Sequence, residues 1–238
     1  MLPRCAAALL VALALAALTP GSVSAQDPVF GYLPEESPYR DVSSPHELSL
    51  ESGYLITAHD RAGVNSNSAP IIGIRELVHL GGPAIWTIRL AHSFSDRNVI
   101  DPSAPVSLRQ VGTQNAGLTI LDTDFGINIT GDRSWRYLMP YFTLGPGIVS
   151  DLGAAHDAGG YRFGTAFTVT YGGGFRWVPA SRFSMHVDAG AYLWSYHYPG
   201  SYHNLTNDGT TVIPTAQHLT AWRNNLRLTI GASYAIKH

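Results

Sequence analysis

The sequence predicts an all-β fold, an eight-stranded antiparallel up-and-down transmembrane β-barrel, and three observations support this prediction. Eight stretches alternate between apolar and small or polar side chains with a period of two residues, which is the spacing of side chains along one face of a β-strand. The connections between these stretches are alternately short and long. Only 13% of the residues are charged. Within the stretches, nine ionisable side chains lie on the strand face opposite the one that carries the apolar side chains.

The first 25 residues have the pattern of a secretory signal peptide. Arg4 precedes an apolar stretch, residues 6–18, and small residues follow up to Ala25, after which we expect cleavage. The only cysteine, Cys5, lies inside this signal, so the exported chain is expected to contain no disulfide. A closed barrel is a source of stability that needs none.

The rest of the chain divides into a lead-in and the predicted barrel. Residues 26–46 are rich in proline, serine and acidic residues and show no periodicity, which predicts an extended periplasmic segment. Residues 47–238 contain the barrel. Its eight strands are predicted at residues 47–57, 70–80, 84–94, 118–130, 135–148, 161–177, 183–194 and 222–236.

The sixth and seventh stretches give the clearest strand pair. From residue 161 to residue 177 the odd positions are mostly bulky and apolar, whereas the even positions are small, hydroxyl-bearing or cationic. The alternation resumes over residues 183–194 after a short connection that contains Pro179. Two alternating strands joined by a tight turn are typical of a β-hairpin.

The lengths of the connections favour a membrane barrel. Three are short, at residues 81–83, 131–134 and 178–182, and four are long and polar, at residues 58–69, 95–117, 149–160 and 195–221. Outer-membrane barrels have short turns on the periplasmic side and longer loops on the outer side. With eight strands, both ends of the chain fall on the short-turn side, as a periplasmic lead-in requires.

The strand faces that carry the apolar side chains are expected to face lipid, because a β structure can cross a bilayer only as a closed barrel whose outer wall is apolar. Six aromatic residues are expected in girdles at the two membrane interfaces: Trp86, Trp135, Trp177, Trp194, Trp222 and Tyr161.

The side chains on the opposite strand faces are expected to point into the interior, where the ionisable ones form a structural charge network. Its members are Glu51, Arg75, Arg89, Asp122, Asp124, Arg176, His186, Asp188 and Arg227. An eight-stranded barrel is only wide enough for side chains to fill its interior, and buried charges are tolerated when they are paired. Ion pairs that close the barrel are therefore the main prediction, and a narrow charge-lined conduction path is the alternative. No catalytic, cofactor-binding or metal-binding residues are predicted.

Three segments resemble the small eight-stranded outer-membrane barrels of Gram-negative-type bacteria, the family that contains the OmpA transmembrane domain and OmpX. They are residues 135–148 (WRYLMPYFTLGPGI), 170–188 (TYGGGFRWVPASRFSMHVD) and 225–236 (NLRLTIGASYAI). The resemblance covers residues 47–238. It implies an outer-membrane location, contact with outer-membrane lipid, and insertion by the barrel-assembly machinery. The chain departs from the family at its last residues, which are Lys237 and His238 rather than an aromatic residue.

Several functions stay open, because this fold supports many. The main prediction is a non-enzymatic scaffold whose four long loops contact an unidentified extracellular partner. The alternatives are a small pore, a soluble lipocalin-like binder with an apolar interior, and an enzyme that modifies lipid A. For the enzyme, the resemblance points to the outer rim, where His92, Ser93 and Ser95 end the third strand.

Metal and nucleic-acid partners are not expected. His197, His203 and His218 share one loop, but their spacing matches no ligand pattern and predicts solvated side chains. The formal net charge of −2 offers no basic surface for nucleic acid.

Overall fold

The computed structural model describes residues 37–42, 45–153 and 156–236. The predicted signal peptide, most of the lead-in and the last two residues lie outside these ranges. The strands within them are β1 (Tyr39–Asp41), β2 (His46–Ile56), β3 (Ala69–Gly81), β4 (Ala84–Ser93), β5 (Asp96–Ile100), β6 (Gln110–Asn115), β7 (Leu118–Asn128), β8 (Arg133–Trp135), β9 (Leu138–Ser150), β10 (Thr165–Ala180), β11 (Phe183–His197) and β12 (Thr220–Ile236). In the same ranges, no helix is long and apolar enough to cross a membrane.

Eight of these strands form a closed antiparallel barrel, in the order β2, β3, β4, β7, β9, β10, β11 and β12. The ring closes where β12 pairs with β2, from Leu226 opposite Ile56 to Ile236 opposite His46. Each strand of the ring pairs with its sequence neighbour in the ring, which is the up-and-down arrangement. The predicted fold class is confirmed.

Strand alternation places the apolar side chains outside and the polar ones inside. In β12 buried and exposed residues alternate from Asn225 to Ile236 without a break. Large apolar side chains such as Leu50, Phe125 and Phe175 lie 60–70% exposed on the outer wall. The wall is therefore apolar wherever the strands alternate cleanly.

Two of the six predicted girdle residues lie elsewhere. Trp194 is fully buried, because it shares the even parity of His186 and Asp188 in β11 and therefore faces the interior. Tyr161 is also buried, because β10 begins only at Thr165 and leaves Tyr161 in the preceding loop. The prediction of a girdle position was wrong for both.

Part of the lead-in forms a short strand that pairs with a short turn. Strand β1 lies antiparallel to β8, with Tyr39 opposite Trp135. The turn from Trp135 to Leu138 has positive φ at Arg136 (47°) and Tyr137 (69°). This turn separates β8 from β9, so the fifth barrel strand starts at Leu138 rather than at Trp135.

Candidate functional site

Arg89 is the centre of the ion-pair network inside the barrel. It extends inward from β4, and its Nε lies 2.7 Å from Oε1 of Glu51. Its Nη1 lies 3.3 Å from Oδ1 of Asp122 and 3.9 Å from Oδ2 of Asp124, and its Nη2 lies 3.8 Å from Oδ2 of Asp188. A single guanidinium thus approaches carboxylates from three other strands, and all five side chains are buried.

Arg75 lies directly opposite Arg89 in the pairing of β3 with β4. Two like charges in this position repel each other, and Asp188 offsets the repulsion from the far side of the barrel. Arg75 Nη1 donates to Oδ2 of Asp188 at 2.8 Å and to the hydroxyl of Tyr141 at 3.1 Å. Tyr141 in turn donates to the other oxygen of Asp188.

A second layer lies nearer to the long loops. Arg227 Nη1 donates to the hydroxyl of Tyr192 at 2.7 Å, and this hydroxyl donates to Oδ2 of Asp122 at 3.0 Å. Asp124 accepts a hydrogen bond from the hydroxyl of Thr170. Tyr192 therefore links Arg227 to Asp122, and Thr170 supplies Asp124 with a further hydrogen bond.

Arg176 belongs to a separate layer at the short-turn end. Its Nη1 lies 3.2 Å from Oε1 of Glu47 and 3.0 Å from Nε2 of His79. Ser184 donates to the other oxygen of Glu47 at 2.9 Å. Glu47 and His79 are interior residues that were not predicted, although Glu47 lies on the same face of its strand as Glu51 and was identifiable on that ground.

All nine predicted interior residues thus lie inside the barrel, and eight of them form one connected group around Arg89. Each of the nine is at most 5% exposed. A water-filled channel beside them would give their surfaces greater exposure. The interior is therefore packed along the length of the network.

His186 lies beside two of these carboxylates, and the three side chains are close enough to hold a metal ion. Its Nε2 lies 3.6 Å from Oε2 of Glu51 and 3.9 Å from Oδ2 of Asp188, and the three donor atoms lie within 4.8 Å of one another. Arg89 and Arg75 already neutralise these carboxylates. A cation would have to displace both guanidinium groups, so the arrangement fits an ion-pair network better than a metal site.

The long loops fold into an aromatic cap above the network. The ring of Tyr161 stacks on the rings of Tyr198 and Tyr202, with centroid separations of 5.9 and 6.2 Å. The guanidinium of Arg97 lies 5.1 Å from the centre of the Tyr161 ring, and its Nη2 lies 2.5 Å from Oδ1 of Asp157. Three of the long connections thus share one buried cluster.

Burial and neighbouring carboxylates keep the cap tyrosines protonated. Burial raises the pKa of the Tyr198 hydroxyl, and the negative charge of Asp60 raises it further. The pKa of Tyr202 is raised in the same way by burial and then by Asp157. Both hydroxyls therefore stay neutral at physiological pH and above it. No periodic pattern in the loop sequences indicated this cluster.

Asp60 holds the first loop in place. Its carboxylate accepts backbone hydrogen bonds from Ala62 at 2.9 Å, Val64 at 2.7 Å and Asn65 at 2.9 Å, and a further one from the hydroxyl of Tyr198. A single buried side chain thus connects the loop after β2 to the loop after β11.

We expect Asp60→Ala to loosen this loop without unfolding the barrel. An unsatisfied buried polar group costs about 1–3 kcal/mol, so trypsin should cleave after the exposed Arg61 roughly 10-fold faster, which corresponds to about 1.4 kcal/mol. Limited proteolysis of the refolded protein measures this rate. Asp132→Ala, an exposed carboxylate in a short turn, is the matched control. An unchanged cleavage rate in Asp60→Ala would contradict the assigned role of Asp60.

The three residues suggested for a lipid A-modifying site do not converge. His92 and Ser93 are adjacent in β4 and therefore point to opposite sides of the wall. Nδ1 of His92 lies 2.9 Å from the Thr119 hydroxyl oxygen, whereas Ser93 is fully buried and lies 3.4 Å from the hydroxyl of Ser95. Ser95 donates to the carbonyl of Ala116 at 2.9 Å.

The loop histidines do not come together either. In the described part of the chain, the one group of three or more possible metal ligands is that of Glu51, His186 and Asp188. His197 and His218 are exposed, as predicted, whereas His203 is half-buried and its Nε2 is buried, so the prediction of a solvated side chain was wrong for His203.

The barrel is similar to several solved structures, although no protein-family model and no curated protein matches the chain. The N-terminal β-barrel domain of OprF from Pseudomonas aeruginosa has 9% sequence identity and a TM-score of 0.47, with 81% of this chain and 98% of that chain covered. Neisserial surface protein A has 10% identity and a TM-score of 0.48, with the same coverage. OprG from Pseudomonas aeruginosa has 11% identity and a TM-score of 0.46, covering 82% of this chain and 98% of that chain. At these values the fold assignment rests on the strand pairing of this chain itself.

Proposed function

We propose that this chain is an outer-membrane β-barrel protein with a closed, ion-paired interior, and that it acts as a scaffold displaying its four long loops outside the cell. The observation that carries the proposal is the distribution of polarity across the wall. The exposed outer side chains include Leu50, Phe142 and Leu228, whereas Arg75, Arg89 and Asp188 are buried inside. This is the arrangement that a β structure needs in lipid.

The polarity of the wall argues against a soluble lipocalin-like binder. Such a protein would need an apolar interior and a polar outer surface. The observed faces are the reverse, because the arginine and carboxylate groups are inside and the large apolar side chains are outside.

The packing of the interior favours a scaffold over a pore. The ion pairs of Arg89 and Arg176 form two layers across the interior, and the aromatic cap covers the loop end. Ions would have to pass both layers and the cap. The separation of His92 from Ser93 likewise supports a non-enzymatic role, and no cofactor forms part of the proposal.

The proposed partners follow from the same surfaces. Outer-membrane lipid contacts the apolar wall, the barrel-assembly machinery inserts the chain, and an extracellular partner is met through the loops. The formal net charge of −2 does not favour nucleic acid as a partner.

Cysteine labelling in intact cells tests this proposal, because the predicted mature chain contains no cysteine of its own. Leu205→Cys places a thiol in the last long loop, where Leu205 is 74% exposed, and Asp132→Cys places one in a short turn at the opposite end. We expect a membrane-impermeant maleimide to label Leu205→Cys in intact cells, and Asp132→Cys only after lysis. Recovery of the protein in the soluble fraction, or the reverse labelling pattern, would overturn the proposal.

A further inference from the structure

Two tryptophans and a leucine form one row across the outer wall at the short-turn end. Leu138 of β9 lies opposite Trp135 of β8 and also opposite Trp177 of β10. Residues directly opposite one another in paired strands share a face of the sheet, and Leu138 begins the exposed face of β9. Trp135 and Trp177 are each 45% exposed. Aromatic rings in this position are typical of the interface between a membrane and water.

Arg136 holds its guanidinium over one of these tryptophans. Its Cζ lies 5.4 Å from the centre of the Trp135 ring, inside the range of about 6 Å in which a ring attracts a cation. The side chain is exposed, and within the described ranges it donates no hydrogen bond and has no carboxylate within 4.0 Å. Asp41, the acidic residue of β1, pairs with Arg133 instead, at 3.0 Å. A positive charge is thus held at the edge of the apolar wall with its N–H groups unused.

The backbone of this turn favours other residues at both of its central positions. Arg136 and Tyr137 have φ of 47° and 69°, and they connect Trp135 to Leu138, which pair with each other. A two-residue turn with positive φ at both positions favours asparagine and glycine, because the left-handed conformation is unfavourable for longer side chains. Strain of this kind indicates that the side chains serve a purpose other than forming the turn.

Two backbone hydrogen bonds hold the turn in place. The amide of Arg136 donates to the carbonyl of Pro38 at 2.8 Å, and the carbonyl of Tyr137 accepts from the amide of Val178 at 2.8 Å. The first bond ties the turn to the segment before β1, and the second ties it to β10. A guanidinium that is stacked on a ring and carried by a fixed backbone loses less freedom when it binds a ligand.

Arg40 provides a comparison on the other face of the same strand pair. It lies opposite Ser134, and successive side chains of a strand point to opposite faces, so Arg40 faces away from the side of Trp135. Its Cζ lies 4.8 Å from the centre of the Tyr137 ring. Arg40 therefore resembles Arg136 in charge and in stacking, but it does not share the lipid-facing side of the wall.

We propose that Arg136 binds the phosphate of an anionic phospholipid head group in the periplasmic leaflet of the membrane. A guanidinium can donate two parallel hydrogen bonds to a phosphate, and basic side chains at a membrane surface attract anionic lipid. The row of Trp135, Leu138 and Trp177 receives the apolar part of the same lipid. This inference rests on the proposed function in one respect: the short-turn end meets the periplasmic leaflet only in the proposed orientation.

Titration with a short-chain lipid tests the proposal in micelles of lauryldimethylamine oxide, which contain no phosphate. The probe is dihexanoyl phosphatidylglycerol, and the comparisons are phosphate-free dihexanoylglycerol and inorganic phosphate. We expect saturable NMR shifts of the Trp135 indole N–H and the Arg136 amide with the probe, and weaker binding of both comparisons. Absence of saturation with the probe, or equal affinity for either comparison, would overturn the proposal.

Three variants locate the binding. Arg136→Gln should weaken it about fivefold, which corresponds to about 1 kcal/mol for a basic residue near an anionic membrane surface. Arg136→Lys keeps the charge but not the paired donors, so its affinity should lie between those of Arg136→Gln and the wild type. Arg40→Gln makes the same change in charge on the other face and should leave the affinity unchanged. Equal weakening by Arg40→Gln and Arg136→Gln would show a response to net charge and would overturn the site.

Arg136→Asn separates lipid binding from folding. Asparagine suits the positive φ of this position, so the urea midpoint of the variant should not fall below that of the wild type. Lipid binding should nevertheless weaken as much as in Arg136→Gln. A lower midpoint would contradict the strain from which the proposal is argued, and unchanged lipid binding would overturn the proposal itself.

The labelling of Asp132→Cys reports the orientation independently of lipid binding, because Asp132 belongs to the same connection as Arg136. Loss of lipid binding with protection of this cysteine in intact cells rejects the phosphate site alone. Lipid binding with reversed labelling rejects the proposed function and the periplasmic leaflet with it.

Discussion

Arg89→Leu should lower the free energy of unfolding by about 3–5 kcal/mol, the range observed when one partner of a buried ion pair is removed. Arg89 faces Glu51, Asp122, Asp124 and Asp188, at distances from 2.7 to 3.9 Å. Without it, negative charges remain in an interior that offers them no water. Urea unfolding of the refolded protein in micelles, followed by tryptophan fluorescence, measures the loss.

Two further variants show whether the missing charge is the cause. Arg61→Leu removes an exposed arginine from the first loop and should change stability by less than about 0.5 kcal/mol. The double variant Arg89→Leu with Glu51→Leu removes charges of both signs, and we expect it to recover part of the loss. Equal stability of Arg89→Leu and the wild type would contradict the central role of this arginine.

Gly53→Val should prevent closure of the barrel. Gly53 lies opposite Thr229 in the pairing of β2 with β12, and a Cβ at this position would collide with the carbonyl oxygen of Leu228 and lie 2.7 Å from Cα of Thr229. These are backbone atoms that cannot rotate away. Overpacking in a well-packed site typically costs about 1–3 kcal/mol and occasionally more, and we expect a cost above this range because the last strand pair is separated.

The loss of the folded form is visible as loss of heat-modifiable migration on a gel. Gly112→Val is the matched control, because Gly112 lies on β6 with no atom within 4 Å of the added Cβ. It should leave migration unchanged. A normally migrating Gly53→Val protein would show that the β2–β12 pair tolerates a side chain here, contrary to expectation.

The sequence allowed the barrel to be predicted because strand periodicity is a local property. Each strand in lipid must show an apolar outer face, so a stretch such as β12 identifies itself without reference to its neighbours. The positions of Trp194 and Tyr161 were mispredicted for different reasons. For Trp194, the alternation along β11, and not the aromatic character of the side chain, decides that it faces the interior. For Tyr161, the alternating pattern in the sequence extends into the loop that precedes β10, so it includes residues that are not part of the sheet.

The partners inside the barrel could not be predicted, because they depend on the relative register of strands far apart in the chain. Sequence parity placed Arg75 and Asp188 inside, but only the barrel brings them to 2.8 Å across its width. Uncharged linkers such as Tyr192 were missed because nothing local distinguishes them from other inward residues. The aromatic cap was missed because it forms between loops without periodicity.

The pairing of β1 with β8 has a mechanical consequence. Strand β8 lies in the connection between β7 and β9, and this strand pair is opposite the pair of β12 and β2 in the ring. The amide of Val42 donates to the carbonyl of Asp132 at 3.1 Å, and three residues later the carbonyl of Pro45 accepts from the amide of His79 at 2.9 Å. Three residues reach at most about 11 Å. The chain therefore ties the connection between β7 and β9 to β3 at the short-turn end, and it limits how far these two parts of the ring can separate.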